Sequence, residues 1–188
     1  MIIGVCGFKG SGKDTVADII TGYGYTKTSM ASILKDVVSS LFGWDRKMLE
    51  GDTTESRSWR EESDPFWSRL SGIGIFKDDD HVSPRIALQR IGTDLIRKYI
   101  HPDFFLMRLS NLSDVVISDI RFGNEMEYCD IVINVIRKEY SQKELDMMHV
   151  SETEHIRYPH TYTIYNDSTL SDLEDKVKDI MIDIRSNQ

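Results

Sequence analysis

Residues 7–14 have the sequence Gly-Phe-Lys-Gly-Ser-Gly-Lys-Asp, the spacing of a phosphate-binding loop. An apolar run at 2–6 precedes the loop and an amphipathic pattern at 15–20 follows it, which predicts a strand, a turn and a helix. Glycines let several backbone N–H groups turn toward one anion, and the helix dipole favours negative charge there. We therefore predict a phosphate site built by Lys9, Gly10, Ser11, Gly12 and Lys13. The alternative is a glycine-rich turn that binds nothing.

Asp14 stands where the usual motif has a serine or threonine whose hydroxyl binds Mg²⁺, and Thr15 follows it. Two interpretations are open. Asp14 reaches the metal directly or through water, or it only caps the helix while Thr15 supplies the hydroxyl. We favour a role for Asp14 beside the metal.

The composition is that of a soluble globular protein of 188 residues, with 40% hydrophobic and 29% charged residues. The net charge of −8 argues against binding to a nucleic-acid polymer, which needs a cationic face. Cys6 and Cys129 lie in apolar stretches without CxxC spacing, so neither a disulfide framework nor a zinc site is expected. There is no signal-like segment and no apolar run of membrane-spanning length. We expect no membrane partner and a cytoplasmic location, which means the host cytoplasm if the protein is viral.

Strand-like and helical patterns alternate along the chain, which predicts a parallel sheet with helices on both faces. The strands are expected at 2–6, 25–29, 115–118, 131–136 and 161–165. Helices after the first one are expected at 30–42, 84–99, 103–112 and 169–185. Residues 44–83 are polar, with three tryptophans, and are interpreted as an insertion at the ligand-binding edge of the sheet.

A second group of charged residues follows the apolar run at 115–117. Asp119 and Arg121 are two residues apart, so both leave a strand end on the same side. One could face a metal or an acceptor and the other a transferred phosphoryl group. An ordinary salt bridge at a strand end is the alternative.

A third group lies on the helix predicted at 84–99. Arg85 and Gln89 share one helical face, and Thr93 is expected one turn further. Arginine grips phosphate with two nitrogens, and a glutamine amide can pair with the edge of a base. A solvated helix face is the alternative.

Four stretches together resemble the phage-type deoxynucleoside monophosphate kinases. They occur in the order of that family and cover residues 7–18, 88–96, 118–126 and 165–173. The resemblance also accounts for the aspartate after the lysine of the loop, which the family shares. It implies a three-layer P-loop nucleotide kinase fold over residues 1–188, with a parallel sheet of about five strands. It further implies an acceptor-binding insertion (44–83) and a mobile lid, for which 138–160 is the candidate.

The resemblance implies transfer of the γ-phosphoryl group of ATP, held with Mg²⁺, to a (deoxy)nucleoside 5′-monophosphate. It assigns catalysis to Lys13, Asp119 and Arg121, and the metal to Asp14, Thr15 and Asp119. It assigns ATP binding to the loop and to Asn166 and Asp167, and we add Arg137, which ends the strand predicted at 131–136, as a further candidate. It assigns acceptor binding to Arg85, Gln89, Asp94 and Glu125. For Asn166 and Asp167 a turn before a helix capped by Ser168 is an equal alternative.

Several further residues stay open. Arg57, Arg60, Arg121 and Arg137 are candidates for an arginine that stabilises the transition state. Trp59 and Arg60 are candidate acceptor contacts, although a tryptophan is more often a buried anchor. Asp36 is expected to pair with the acceptor or with Lys35. His149, His155 and His160 are expected in surface or hydrogen-bonding roles, because their spacing does not suit a zinc site.

Two other functions compete with a nucleotide kinase. One is a P-loop kinase for another small acceptor, such as dephospho-coenzyme A. The other is a nucleotide-dependent switch or assembly ATPase, which the small insertion disfavours. The resemblance leaves a homodimer open.

Overall fold

The apolar runs form five parallel strands, in a computed structural model that describes residues 1–109 and 111–187. The strands are β1 (Ile2–Cys6), β2 (Thr26–Thr28), β3 (Val115–Ile117), β4 (Ile131–Ile136) and β5 (Tyr162–Tyr165). Their order in the sheet is β2-β3-β1-β4-β5. Ile3 of β1 is in register with Val116 of β3 and Ile131 of β4, so β1 is central. The predicted five-stranded parallel sheet is confirmed.

The chain divides into two compact units, and the sheet belongs to the first, which comprises Met1–Met30 and Phe105–Gln188. Its helices are α1 (Lys13–Thr21), α5 (Gly123–Tyr128), α6 (Gln142–Asp146), α7 (Val150–Thr153) and α8 (Leu170–Ser186). Single 3₁₀ turns occur at Leu106–Arg108 and Glu154–Arg157.

Side chains that alternate along the strands divide the sheet into two covered faces. On one face Ile3 and Val5 pack in a fully buried cluster with apolar residues of α1 and α8. On the other face Gly4 lies directly against Ile120 and Cys129, and a Cβ there would collide with both. Helices and loops thus cover both faces, as a buried parallel sheet requires.

The second unit, Ala31–Phe104, carries α2 (Ser32–Phe42), α3 (Thr54–Trp59) and α4 (Pro84–Gln89). Single 3₁₀ turns lie at Trp67–Leu70 and Gly74–Phe76. Within 44–83 the tryptophans form a small aromatic core: Trp44 stacks on Phe42 at 4.4 Å between ring centroids, and Trp67 meets Phe42 edge-on at 4.8 Å. Trp44 donates its indole N–H to Asp64 at 2.8 Å.

The helix predicted at 84–99 changes its hydrogen bonding in the middle. Ser83 caps it and Pro84 occupies its first turn, but Arg90–Ile100 continues as a π-helix. His101 N–H donates to the carbonyl of Ile96, five residues back. Thr93 lies in this π-helical stretch, and its place one turn beyond Gln89 stays a prediction.

The helix predicted at 103–112 is also wrong. Among its described residues only Leu106–Arg108 is helical, as one 3₁₀ turn. Leu109 and Leu112 each donate their N–H to a carbonyl three residues back. The apolar spacing that suggested a helix instead buries Phe105, Leu106 and Leu109 from successive turns.

Candidate active site

The phosphate-binding loop has the backbone that its glycines allow. Gly7, Gly10 and Gly12 adopt φ angles of 144°, 76° and 98°, in the region that favours glycine. Gly12 is the N-cap of α1, and its carbonyl accepts the N–H of Val16 at 3.0 Å. The loop therefore delivers the chain to a helix N-terminus directly behind β1. Such a terminus attracts anions through unpaired N–H groups and the helix dipole.

Lys13 is the first residue of α1, and its surroundings lower its pKa. Burial is the largest cause, and the positive charge of Arg121 acts in the same direction. Asp14, Glu152 and Asp119 oppose both effects. Two cations and several carboxylates therefore share this end of the sheet.

Asn166 supports the loop from the end of β5. Its amide donates to the Ser11 carbonyl at 2.8 Å, and its backbone N–H donates to Ile136 at 2.7 Å. A Cβ on Gly12 would collide with the same amide. Asn166 thus contacts the loop itself, a role that the sequence did not reveal because the two residues are distant along the chain.

Asp167 lies outside this contact. It is exposed and pairs with Lys176 at 3.2 Å. The cap of α8 is Thr169, whose hydroxyl accepts the N–H of Asp172 at 3.2 Å, so the expected cap at Ser168 is wrong.

Asp119 lies two residues beyond β3, as its sequence position predicts. One carboxylate oxygen accepts the Ser29 hydroxyl at 2.8 Å and the other accepts the Met30 N–H at 2.7 Å. These bonds fix the carboxylate between the ends of β2 and β3. Carboxylate oxygens are hard ligands of the kind that Mg²⁺ takes.

Asp14 is the second residue of α1 rather than its N-cap, because Gly12 holds that position. Its carboxylate is exposed and lies 3.7 Å from the ammonium of Lys27. Among the described residues no three His, Cys, Asp or Glu side chains cluster closely enough to hold a metal alone. Asp14, Thr15 and Asp119 offer only hard oxygen donors. That set fits Mg²⁺, which keeps several waters and takes one or two carboxylates beside substrate phosphates.

Arg121 is anchored at its backbone and at one corner of its guanidinium. Its N–H donates to Glu125 at 2.6 Å, and its Nη1 donates to Glu152 at 2.5 Å and to the Ser151 carbonyl at 3.1 Å. Burial alone would lower the pKa of Arg121, but Glu152, Asp119 and Glu125 outweigh it and raise that pKa. Arg121 therefore stays a permanent cation near Lys13.

Glu125 is buried, and its carboxylate accepts the backbone N–H groups of Arg121 and Phe122, at 2.6 and 3.0 Å. It thereby satisfies N–H groups at the start of α5. This placement argues for a structural role, and its expected contact with the acceptor stays a prediction.

The candidate lid, 138–160, contains α6, α7 and the turn Glu154–Arg157. His155 packs edge-on against Phe8 of the loop at 4.9 Å, and Glu154 accepts the Gly123 N–H at 3.3 Å. Burial, with His160 and Arg121 as further causes, lowers the pKa of His155 to about 4. In this structure the segment contacts the loop and α5.

The other two histidines of this segment take hydrogen-bonding positions. His149 caps α7 by accepting the Ser151 N–H at 3.3 Å. A ring nitrogen of His160 lies 3.0 Å from the His155 carbonyl. Outside the segment, Lys9 and Arg137 are exposed, and their contact with ATP stays a prediction.

In the second unit, the residues of α4 and of the following π-helix that are expected to bind the acceptor are partly engaged in ion pairs. Arg85 lies 3.5 Å from Glu61, and Asp94 accepts from Arg90 at 2.9 Å. Arg90 also donates from two nitrogens to Asp79, at 2.8 Å each. Gln89 is half-buried. Sequence reasoning missed Arg90, although an acidic run at 78–80 signalled the need for a cation.

Asp36, Trp59 and Arg60 also have internal partners. Asp36 pairs with Arg46 at 2.5 Å, while Lys35 pairs with Glu50, so the alternative pairing of Asp36 with Lys35 is wrong. Trp59 meets Trp44 edge-on at 6.1 Å, the position of a packing anchor. Nη1 of Arg60 donates to the Glu50 carbonyl at 3.2 Å.

One more candidate from the sequence has a structural partner. Arg57 donates to the Asp52 carbonyl at 2.8 Å.

The helices of the structure can also be compared with the length of a membrane span. In the described ranges, 1–109 and 111–187, no helix combines the length and apolar character that crossing a bilayer requires.

A phosphate-binding loop between the central strand of a parallel sheet and its first helix, with Lys13 and Arg121 nearby, defines a P-loop nucleotide-binding protein of the kinase type. A protein of Acanthamoeba polyphaga mimivirus that is named as a deoxynucleotide monophosphate kinase is 31% identical over 146 residues. The match covers 68% of this chain and 67% of the mimivirus protein. The chain belongs to the deoxynucleoside monophosphate kinase family.

Two further comparisons accompany this match. The deoxynucleoside-5′-monophosphate kinase of Escherichia phage T5 is 28% identical over 177 residues, covering 68% of this chain and 70% of that enzyme. A dephospho-CoA kinase structure from Campylobacter jejuni superposes with a TM-score of 0.49 at 14% identity, over 97% of this chain and 96% of the other. That score supports no conclusion about substrate. No protein-family model matches the sequence.

Proposed function

We propose that this kinase transfers the γ-phosphoryl group of ATP to a deoxynucleoside 5′-monophosphate, giving ADP and the deoxynucleoside diphosphate. In this step the bond from the γ-phosphorus to the β–γ bridging oxygen breaks. A bond from an oxygen of the monophosphate to the same phosphorus forms. The observation that carries the proposal is the joint presence of the loop, Lys13 and Arg121 at one end of the sheet.

The loop and Lys13 are proposed to hold the β- and γ-phosphates of ATP. The N–H groups at the start of α1 are already fixed by the helix, so they would bind phosphate without the loss of conformational freedom that ordering a long side chain costs. Burial lowers the pKa of Lys13, and a bound polyphosphate would raise it by placing anions beside the ammonium group. Asn166 holds the Ser11 carbonyl, so this part of the loop is fixed before nucleotide binds.

The main task of the site is to join two polyanions, because the accepting phosphate oxygen is already ionised near neutral pH. Phosphoryl transfer requires positioning and charge stabilisation more than covalent chemistry from the protein. Arg121 is proposed to meet charge that develops on the transferred group, a contribution worth on the order of 10³–10⁵ in rate for arginines of this kind.

Mg²⁺ is the cation that we propose beside the triphosphate, where it would neutralise charge on the β- and γ-oxygens. Asp14, Thr15 and Asp119 would hold it, through water or directly. The bonds from Ser29 and Met30 keep the Asp119 carboxylate fixed, so it needs no rearrangement to take this role.

The second unit is proposed to bind the acceptor through Arg85 and Gln89. Arg85 supplies a cation for the monophosphate, and the amide of Gln89 can both donate to and accept from a base. Asp94 is held by Arg90, which favours a supporting role for it.

A coupled assay of ADP production with each deoxynucleoside and ribonucleoside monophosphate, and with dephospho-coenzyme A, tests the proposal. We expect at least one deoxynucleoside monophosphate to stimulate ADP release, with its diphosphate identified by ³¹P NMR. Stimulation by dephospho-coenzyme A alone would assign the enzyme to the other acceptor. Slow ATP hydrolysis that no monophosphate changes would refute kinase activity toward nucleotides.

A further inference from the structure

Glu152 is a partly buried acid that neither the family resemblance nor the proposed function uses. It lies on α7, and only 11% of its side chain is exposed. Its Oε1 accepts the Nη1 of Arg121 at 2.5 Å, and the carbonyl of the preceding residue, Ser151, accepts the same nitrogen at 3.1 Å. Two neighbouring acceptors on one short helix therefore hold one corner of the guanidinium.

The opposite edge of that guanidinium is open. Within residues 1–109 and 111–187, Nε and Nη2 of Arg121 have no hydrogen-bond partner, and 34% of the side chain is exposed. Nε–H and Nη2–H point in parallel, which is the geometry that matches two oxygens of one phosphate. Because Glu152 and Ser151 accept only from Nη1, the edge formed by Nε and Nη2 is left for an anion.

The charge of Glu152 also acts on Lys13. The positive charge of Arg121 lowers the pKa of Lys13, whereas the negative charge of Glu152 raises it. An acid at this point therefore offsets the repulsion between the two cations and allows both to stay charged at one site.

A stability role explains this pair less well. An ion pair taken out of water contributes little net stability, because the cost of desolvating both charges offsets their attraction. A role in positioning explains why Glu152 contacts only Nη1 of Arg121. An ion pair that served stability alone would be expected to use two parallel N–H groups of the guanidinium, as bidentate pairs do.

We propose that Glu152 is a positioning residue for phosphoryl transfer, which holds Arg121 by Nη1 so that its Nε–Nη2 edge meets the oxygens of the transferred group. This inference rests on the proposed function. It also gives the segment 138–160 a part in catalysis, because Glu152 lies on α7 in that segment.

The test compares Glu152→Gln with Glu139→Gln, which removes the same charge from an exposed position of the same segment. For Glu152→Gln we expect kcat to fall by about 10- to 100-fold, because misplaced catalytic groups cost rates of this order. The KM values should stay within about threefold, since an interaction made only in the transition state lowers kcat and kcat/KM together. The affinity for ADP with aluminium fluoride and the monophosphate should fall in parallel, while the affinity for ADP alone stays unchanged.

A double-mutant cycle with Arg121→Ala separates positioning from a general effect on folding. If Glu152 acts through Arg121, adding Glu152→Gln to Arg121→Ala changes kcat by less than twofold. This half of the cycle decides the question even if Glu152→Gln alone unfolds, because the double variant leaves no unpaired buried charge.

Three results would overturn the inference: a kcat for Glu152→Gln within twofold of Glu139→Gln, a rise in KM alone, or an equal further loss in the Arg121→Ala background. A gain in ATP turnover would overturn it as well, since Glu152 would then compete with phosphate for Arg121. If the wild type phosphorylates no monophosphate, the proposed function fails instead. In that case the affinities of Glu152→Gln and Glu139→Gln for ADP with aluminium fluoride test the role of Glu152 without a turnover measurement.

Discussion

Lys13 is the residue on which the proposed chemistry depends most directly, because it belongs to the phosphate-binding loop and lies near the second cation, Arg121. We expect Lys13→Ala to lower kcat by at least ~10²-fold, because one preorganised electrostatic contact to developing charge is worth that much. The fold should stay intact, because Lys13 is the first residue of α1 and alanine has a high helix propensity. Coupled ADP assays and circular dichroism measure the two effects.

Lys178→Ala is the matched control for this change, because Lys178 is an exposed residue of α8. It should keep full activity. A Lys13→Ala variant as active as this control would refute the assignment of the loop.

His155 makes stability depend on pH. In the unfolded chain its imidazole takes a proton near pH 6.5, and in the folded protein only near pH 4. The unfolded state therefore binds more protons between these values, and the free energy of unfolding rises with pH through that window. The expected contribution is about 3 kcal/mol, fully present above pH 6.5 and lost as the pH falls toward 4.

Urea unfolding of the wild type and His155→Leu at pH 4, 5, 6 and 7 tests this dependence. The free energy of unfolding should change less with pH in His155→Leu than in the wild type. In His81→Leu, which changes an exposed position, it should change with pH as in the wild type. Equal slopes in all three proteins would show that His155 titrates normally.

At the scale of elements, the docking of 138–160 on α5 depends on a glycine. A Cβ at Gly123 would collide with the ring of Tyr158. We expect Gly123→Ala to lower the free energy of unfolding by about 1–3 kcal/mol, the usual cost of overpacking. In a Tyr158→Ala background the same change should cost less than about half as much. Denaturant unfolding of the four proteins gives both numbers, and equal costs in the two backgrounds would exclude this contact as the cause.

The elements also show what the sequence predicts well. Strand and loop signals are local: β1, the loop and α1 follow from apolar runs and glycines within twenty residues, and all three are confirmed. The helix predicted at 30–42 is confirmed as α2, which ends at Gly43 with a φ of 69°. The helix predicted at 103–112 fails because buried turns and a helix can share the same apolar spacing.

The candidate site was predictable only in part, for a different reason. Lys13, Asp119 and Arg121 stand next to strand ends or loops that mark them in the sequence. The partners that fix them do not: Glu152 is 31 residues from Arg121, and Asn166 is 155 from Ser11. Tertiary contacts of this length leave no spacing pattern. The same holds for Arg90, whose pairing with Asp79 depends on the fold of the insertion.

At the scale of the whole molecule, an acidic protein binds two polyanions. The net charge of −8 opposes phosphate binding at long range, but salt screens exposed charges beyond about 8–10 Å. In our proposal the cations that bind phosphate are therefore those at the site itself, Lys13 and Arg121 in the first unit and Arg85 in the second. We thus propose that the first unit binds the donor and the second unit binds the acceptor.

Hydrogen exchange tests this division of labour. We expect ADP with Mg²⁺ to increase protection in the loop and α1, because bound phosphates satisfy N–H groups that otherwise exchange from an open helix terminus. The best monophosphate should increase protection around Arg85–Gln89. In Arg85→Ala that second effect should disappear while the ADP effect persists, and an Arg69→Ala control, also in the second unit, should show both. Protection by the monophosphate confined to the first unit would contradict the proposed acceptor site and leave the donor site standing.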